Sequence, residues 1–341
     1  VTETDLFLKE KELENSKENV EENIRKYNEV ILPFYKSQGS TNQFLGVNDI
    51  PISCRIFENS KATVKILLCT GYNESYLKYA ELIMNLFEMG FSVYCFDHRG
   101  QGFSGRFIGQ EKKGYVDHFE NYVEDLSFYF ENIVNGHQVE LPTFILAHSM
   151  GGAIATLAVC GKKITPYGVI LSSPMHAIAL SPYLILEYLI YSLTNIFCKL
   201  GKNKEYVFGQ TDCIPFRPFE GNDVTNSKFR YEIWRKHISE IDDMQLGGPT
   251  FGWMREAIKA SRSARKMGYD NNVPILVLQA EKDSVVVNSA HDIFIKSCAN
   301  SEKFFLENAQ HEILMEINPI RNKAIEQIKI FIHKKIERKK I

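Results

Sequence analysis

The chain has no run of about eighteen or more uncharged apolar residues, although 44% of its 341 residues are hydrophobic. No membrane-spanning helix is therefore expected. The nearest candidate, residues 178–200, is interrupted by Pro182, Glu187 and Asn195. Residues 1–28 are rich in Glu and Lys and lack the apolar stretch of a signal peptide, so they read as a solvated helix or a frayed tail. There is no C-x-x-C pair and no Cys/His cluster, so zinc is not expected. The seven cysteines are odd in number and scattered. Several sit in strand-like runs, where a thiol packs as a small hydrophobe, and this usage fits a reducing, cytoplasmic compartment. A formal net charge of −2 gives no reason to expect a nucleic-acid surface. No internal repeat or low-complexity tract occurs. What remains is a chain long enough for a large core, arranged as one large domain with an insertion or as two domains.

Strand-like runs alternate with helix-like runs, which predicts an α/β fold with a mostly parallel central sheet and helices on both faces. Strands are expected at 53–58, 64–70, 91–97, 144–147, 168–172, 274–280 and 303–306. Helices are expected at 79–89, where Leu82, Ile83, Leu86 and Phe87 share a face, at 119–134, after 150 and at 318–336. Between Pro174 and Gly248 this rhythm stops. Clusters that include Tyr183, Leu186, Leu189, Phe197, Phe208 and Phe216 take over. That interval reads as a helical cap over the carboxyl ends of the strands, where parallel sheets bind ligands. The expected organisation is a charged N-terminal segment (1–30), the first part of the core (31–173), the cap (174–248) and the second part of the core (249–341).

The most informative segment is Phe144-Ile145-Leu146-Ala147-His148-Ser149-Met150-Gly151-Gly152-Ala153. An apolar run, a hydroxyl between small residues and a helix-forming stretch together describe a nucleophile elbow. The turn crowds the backbone, so the positions two before and two after the serine must be small; here they are Ala147 and Gly151. A serine needs a base, and the base needs an acid to orient it. In this fold both follow in the chain, acid first. Asp283, in a polar turn after the strand 274–280, is the expected acid, with Glu281 as competitor and an Asx turn as the purely structural alternative. His311 follows at the expected spacing, in a polar loop before the last helix. His148 adjoins the serine but is expected to pack below the turn. Two backbone amides are the expected oxyanion donors: Met150 at the helix start, and Tyr72 in the loop after Thr70-Gly71.

With these three residues in order, the chain resembles the α/β-hydrolases, and within them the branch of monoglyceride lipases and bacterial lysophospholipases of the L-two type. Asp97-His98-Arg99-Gly100-Gln101-Gly102-Phe103-Ser104 resembles that branch's D-x-x-G-x-G-x-S loop. Gly247-Gly248-Pro249-Thr250-Phe251 with Trp253, Glu74-Ser75-Tyr76, Lys78-Tyr79-Ala80-Glu81 and Asn121-Tyr122-Val123 are similar to segments of the lysophospholipase group. Thr70 stands where many relatives carry histidine, and Ala147 replaces a glycine. The resemblance covers roughly residues 30–335. It implies hydrolysis of the ester of a single-chain lipid by Ser149, Asp283 and His311, without a cofactor. The substrate would be a lysophospholipid or, alternatively, a monoacylglycerol or a general carboxylic ester. An acyltransferase, a thioesterase or a non-catalytic lipid binder are the readings from other classes. An acyl pocket is expected in the cap around Tyr183, Leu186 and Leu189. Arg217, Arg230, Arg235 and Arg255 are the candidates for meeting a phosphate head group. The basic C-terminal stretch, with Ile328, Phe331, Ile332 and Ile336 beside its lysines, reads as a docked terminal helix or as a peripheral contact with an anionic inner membrane.

Overall fold

Uninterrupted apolar runs become the central strands, because a strand covered on both faces needs apolar side chains in both directions. The computed structural model describes residues 3–107, 109, 112–136, 140–180 and 186–338. Its strands are β1 (Ser40–Leu45), β2 (Pro51–Phe57), β3 (Val64–Cys69), β4 (Phe91–Phe96), β5 (Thr143–His148), β6 (Gly168–Ser172), β7 (Ile275–Ala280) and β8 (Ser301–Leu306). They form one sheet in the order β1-β2-β4-β3-β5-β6-β7-β8. The β1–β2 and β2–β4 pairs are antiparallel and every other pair is parallel. Every residue of β3, β4, β5, β6 and β7 is buried. The edge strand β1 has no counterpart among the expected strands. Its sequence STNQFL buries only Phe44, so it carries no apolar pattern to read.

The helices are α1 (Glu3–Glu14), α2 (Lys17–Lys26), α3 (Leu32–Gln38), α4 (Ala80–Glu88), α5 (Glu120–Tyr129), α6 (Met150–Cys160), α7 (Leu186–Lys199), α8 (Lys228–Glu240), α9 (Phe251–Ala264), α10 (Asn288–Ser297) and α11 (Asn318–Arg338). Alternate strand residues feed two cores, one on each face of the sheet. Ile66, Leu68, Leu146 and Ile170 pack with Leu82 and Ile83 of α4 and with Ile328, Phe331 and Ile332 of α11. Leu67, Ile145, Val169 and Leu171 pack with Leu126 of α5, Ile154 of α6 and Ala257 of α9. Helix α6 is apolar on nearly all sides and is accordingly buried over most of its length.

Both terminal helices are docked on the rest of the chain. The N-terminal residues are helical, as one of the two readings expected, and α1 stays largely exposed but is tied down at its end. Glu14 accepts hydrogen bonds from the Asn318 amide (2.8 Å) and the Ser227 hydroxyl (3.1 Å), and Lys11 donates to Asn226 at 2.7 Å. The apolar side of α11 faces the core, so Ile328, Phe331 and Ile332 present nothing to a bilayer. Among the described residues no helix is long and apolar enough to cross a membrane. Between β6 and β7 the chain makes its longest excursion from the sheet, carrying α7, α8 and α9, with α9 packed against both α6 and α7.

Candidate active site

Ser149 sits between β5 and α6 with φ at +51° and ψ at −116°, a region that L-residues occupy at a cost of about 1–3 kcal/mol. The turn is held by the Ser149 amide donating to Ser172 O (3.1 Å) and the Met175 amide donating to Ser149 O (2.8 Å). Gly151 is obligatory here. A Cβ at that position would lie 2.4 Å from the carbonyl oxygens of both Cys69 and Thr70. The helix therefore starts hard against the end of β3, which brings the loop after β3 beside the serine. A Cβ on Gly71 would come within 3.2 Å of the Ser149 Cβ.

The structure brings Ser149, His311 and Asp283 together from three separate loops. His311 Nε2 lies 3.0 Å from Ser149 Oγ, and Nδ1 lies 2.8 and 3.0 Å from the two Asp283 oxygens. The carboxylate accepts the Nδ1–H hydrogen bond and so keeps the proton on Nδ1, which leaves Nε2 as the acceptor of the serine proton. Asp283 also accepts the amides of Val285 and Val286 at 2.9 Å each. Burial alone would raise its pKa; His311 and the two amides outweigh burial and hold it below the usual carboxylate range. Glu281, the competitor, points elsewhere. It accepts the Asn308 amide at 2.7 Å and so steadies the loop that carries His311.

The loop Gly71–Ser75 is fixed from two sides. The Glu74 carboxylate accepts the Gly71 amide (2.6 Å), and the Gln101 side chain donates to Gly71 O (2.7 Å) and Glu74 O (2.9 Å). Among the described residues the Tyr72 amide has no protein acceptor, and the Met150 amide is one of the free donors in the first turn of α6. Asp97 and Arg99 serve the scaffold: Asp97 accepts from the Ser75 hydroxyl and the amides of Tyr76 and Phe103, and Arg99 makes a buried two-point pair with Asp125.

Sequence reasoning missed an ion triad under this site. Lys78 is buried, donates to Glu74 at 2.7 Å and to Glu312 at 2.6 Å, and thereby links the loop of Tyr72 to the residue after His311. Burial would raise the Glu74 pKa, but the Lys78 ammonium more than reverses this and brings it down to about 2. The spacing Glu74–Lys78 was the available signal; Glu312 could be joined to it only in three dimensions. His148 is also nearer the chemistry than expected. Its ring lies 4.8 Å from the His311 ring, centroid to centroid, and it lines the same cavity. Burial lowers its pKa to about 4, so it is neutral at pH 7 and its 3.9 Å contact with Glu74 is not an ion pair there.

Above Ser149 lies a cavity of about 440 Å³, walled by Tyr72, Glu74, Lys78, His148, Val285 and His311 below and by Arg217, Pro218, Val224, Tyr231, Trp234 and Ile238 above. The expected acyl-pocket residues are elsewhere. Leu186 and Leu189 lie on α7 and are absent from the cavity wall, and Tyr183 lies outside the described residues. Glu187 and Thr194 are the buried residues of α7, and Glu187 pairs with Arg265 at 2.8 Å. That anchor turns the leucines outward, so α8 and the segment before it roof the cavity instead. Of the four arginines, Arg230 is committed to Glu81 and Arg255 to Glu256, while Arg217 and Arg235 face the cavity. Among the described residues no group of His, Cys, Asp and Glu side chains is arranged to hold a metal ion.

Residues 60–318 match the family described as serine aminopeptidase, S33. The chain is 32% identical over 299 residues to lysophospholipase L2 of Escherichia coli K12, covering 86% of this chain and 87% of that protein. It is 32% identical over 306 residues to the probable lysophospholipase L2 of Haemophilus influenzae, covering 89% and 95%. Among solved structures, a soluble variant of monoglyceride lipase from Saccharomyces cerevisiae superposes with a TM-score of 0.66 at 18% identity, covering 87% of this chain and 96% of that one. At that identity the likeness speaks for the fold, an α/β-hydrolase sheet.

Proposed function

Because the chain belongs to the serine aminopeptidase S33 family of α/β-hydrolases, we propose that it hydrolyses the carboxylic ester of a single-chain lipid, releasing a fatty acid from a lysophospholipid. The observation that carries the mechanism is the unbroken hydrogen-bond chain Asp283–His311–Ser149 at the floor of a cavity. His311 takes the proton of Ser149, whose oxygen attacks the ester carbonyl. Asp283 keeps the imidazole in the right tautomer and stabilises its positive charge. The amides of Tyr72 and Met150 meet the oxyanion. His311 then gives its proton to the departing glycerol oxygen and activates the water that cleaves the acyl-enzyme. Residues 174–248 act as the cap, and its apolar wall supports acyl binding at about 0.8 kcal/mol for each CH₂ buried.

Ser149→Ala should abolish covalent labelling by a fluorophosphonate probe; labelling that persists removes Ser149 from the role. Lysophosphatidylethanolamine should be cleaved faster than a monoacylglycerol of equal chain length. The reverse preference would make the protein a monoacylglycerol lipase.

Helix α7 offers a second candidate for peripheral membrane contact, beside the C-terminal stretch. Leu186, Leu189, Leu193, Ile196 and Leu200 are exposed at three- and four-residue spacing, a continuous apolar stripe suited to lying in a lipid interface. The seven free thiols support a cytoplasmic setting for that contact. Leu189→Glu with Ile196→Glu should reduce sedimentation with anionic vesicles; unchanged sedimentation would exclude this stripe.

A further inference from the structure

We propose that Arg217 and Arg235 form a subsite for the phosphate of a glycerophospholipid head group, a proposal that rests on the reading of the Ser149 cavity as the ester site. Both arginines line that cavity, and neither makes an ion pair among the described residues. Arg235 is pinned without being neutralised. Its Nη2 donates to the carbonyl oxygens of Ile214 and Pro215, the latter at 2.6 Å, and its Nε is buried with no partner. Those carbonyls belong to the stretch that leads into Arg217, so one short loop sets the position of both cations.

Three of the four acids on the cavity wall lie near other cations. Glu74 and Glu312 share Lys78, and Lys228 stands 3.8 Å from Glu220 and 3.9 Å from Glu232. Asp223 is the remaining acid on the cavity wall. Burial first, and then the like charge of Arg217 among its neighbours, pulls the Arg235 pKa down. Two arginines on one cavity wall, neither in an ion pair among the described residues, are relieved by an anion, and planar N–H groups match phosphate oxygens well. Such a subsite at the mouth would hold a head group while the ester reaches Ser149. It would favour substrates with phosphate next to the glycerol over neutral glycerides.

The test compares kcat/KM for lysophosphatidylethanolamine with that for a monoacylglycerol of the same chain, in wild type, Arg217→Gln, Arg235→Met and the two lysine variants. The ratio of the two should fall about 10–100-fold in Arg235→Met and in a variant that combines Arg217→Gln with Arg235→Met, mainly through KM. Arg217→Lys and Arg235→Lys should restore part of it. A ratio that does not move overturns the proposal, even if both activities fall, because a structural role lowers both substrates alike. Glycerophosphoethanolamine should inhibit hydrolysis of a p-nitrophenyl acyl ester in wild type and much less in Arg235→Met. Inorganic phosphate inhibiting equally well would assign the site to free phosphate and overturn the head-group claim. Failure of the underlying reading looks different: wild type then cleaves neither lipid.

Discussion

Replacing Lys78 with methionine tests the ion triad most directly. Methionine keeps the length and apolar stem of the side chain but removes the ammonium. Glu74, almost fully buried, would then carry a charge with no cation within reach. Breaking a buried pair by removing one partner costs about 3–5 kcal/mol. Glu312 is not counted a second time, since its side chain retains 16% exposure and water can solvate it. In a chain of 341 residues each kcal/mol moves Tm by about 1.4 °C, so a fall of roughly 4–7 °C is expected near neutral pH. The pH dependence gives a second, independent readout. In wild type the Glu74 pKa lies at about 2, below its ordinary value, so its contribution is complete above about pH 4.5 and fades only as acid approaches pH 2. Without Lys78, burial dominates and the pKa rises above the ordinary value. The variant then takes up a proton as pH falls and recovers. The stability gap should therefore narrow from pH 8 to pH 5. Glu74→Gln in the Lys78→Met background should regain much of the loss, because it removes the stranded charge and keeps an oxygen for the Gly71 amide. Urea titrations at pH 5, 6, 7 and 8 would measure all of this. A loss under about 1 kcal/mol, or a gap that does not change with pH, would refute the account of the triad.

Asp283→Asn should lower kcat by about four orders of magnitude with little change in Tm, since the amide favours the wrong tautomer of His311; a loss below tenfold in steady-state rates would exclude Asp283 as the orienting acid. Gly151→Ala should prevent accumulation of folded protein, because its Cβ would meet two backbone oxygens at 2.4 Å that no side-chain rotation can move; a soluble, active variant on size exclusion would contradict the elbow geometry. Acid should destabilise wild type between about pH 6.5 and pH 4. His98 and His148 have pKa values lowered by burial to about 4, and burial also lowers those of His176, His237 and His291, so the unfolded chain binds more protons across that window; Asp97, raised by burial to about 7, opposes them together with Glu14 and Glu316, which burial also raises. A thermal midpoint that rises as pH falls through that window would show that the raised carboxylates dominate.

Much of the sheet was legible because its central strands are buried on both faces and so read as unbroken apolar runs. The elbow was legible because its backbone geometry tolerates only small residues at 147 and 151, which leaves a local signature. Chain order singled out Asp283 and His311, and the two valine amides that fix Asp283 follow it directly in sequence. Strand β1 was not legible, since an exposed edge strand needs no hydrophobic pattern. Helix α7 misled: its leucines look like cavity lining, but which side of a helix faces inward depends on what it packs against. The buried Glu187–Arg265 pair made that choice.

The sequence alone determined the parallel sheet, the strained serine and the order of acid and base, because each is written in residues adjacent in the chain or in spacing the fold imposes. Only the tertiary structure decided which residues roof Ser149, which arginines remain uncompensated, and that Lys78 joins Glu74 to Glu312. Those facts depend on charges and faces that meet across more than a hundred residues of chain. No local preference of the backbone encodes which of several similar side chains will find its partner first occupied.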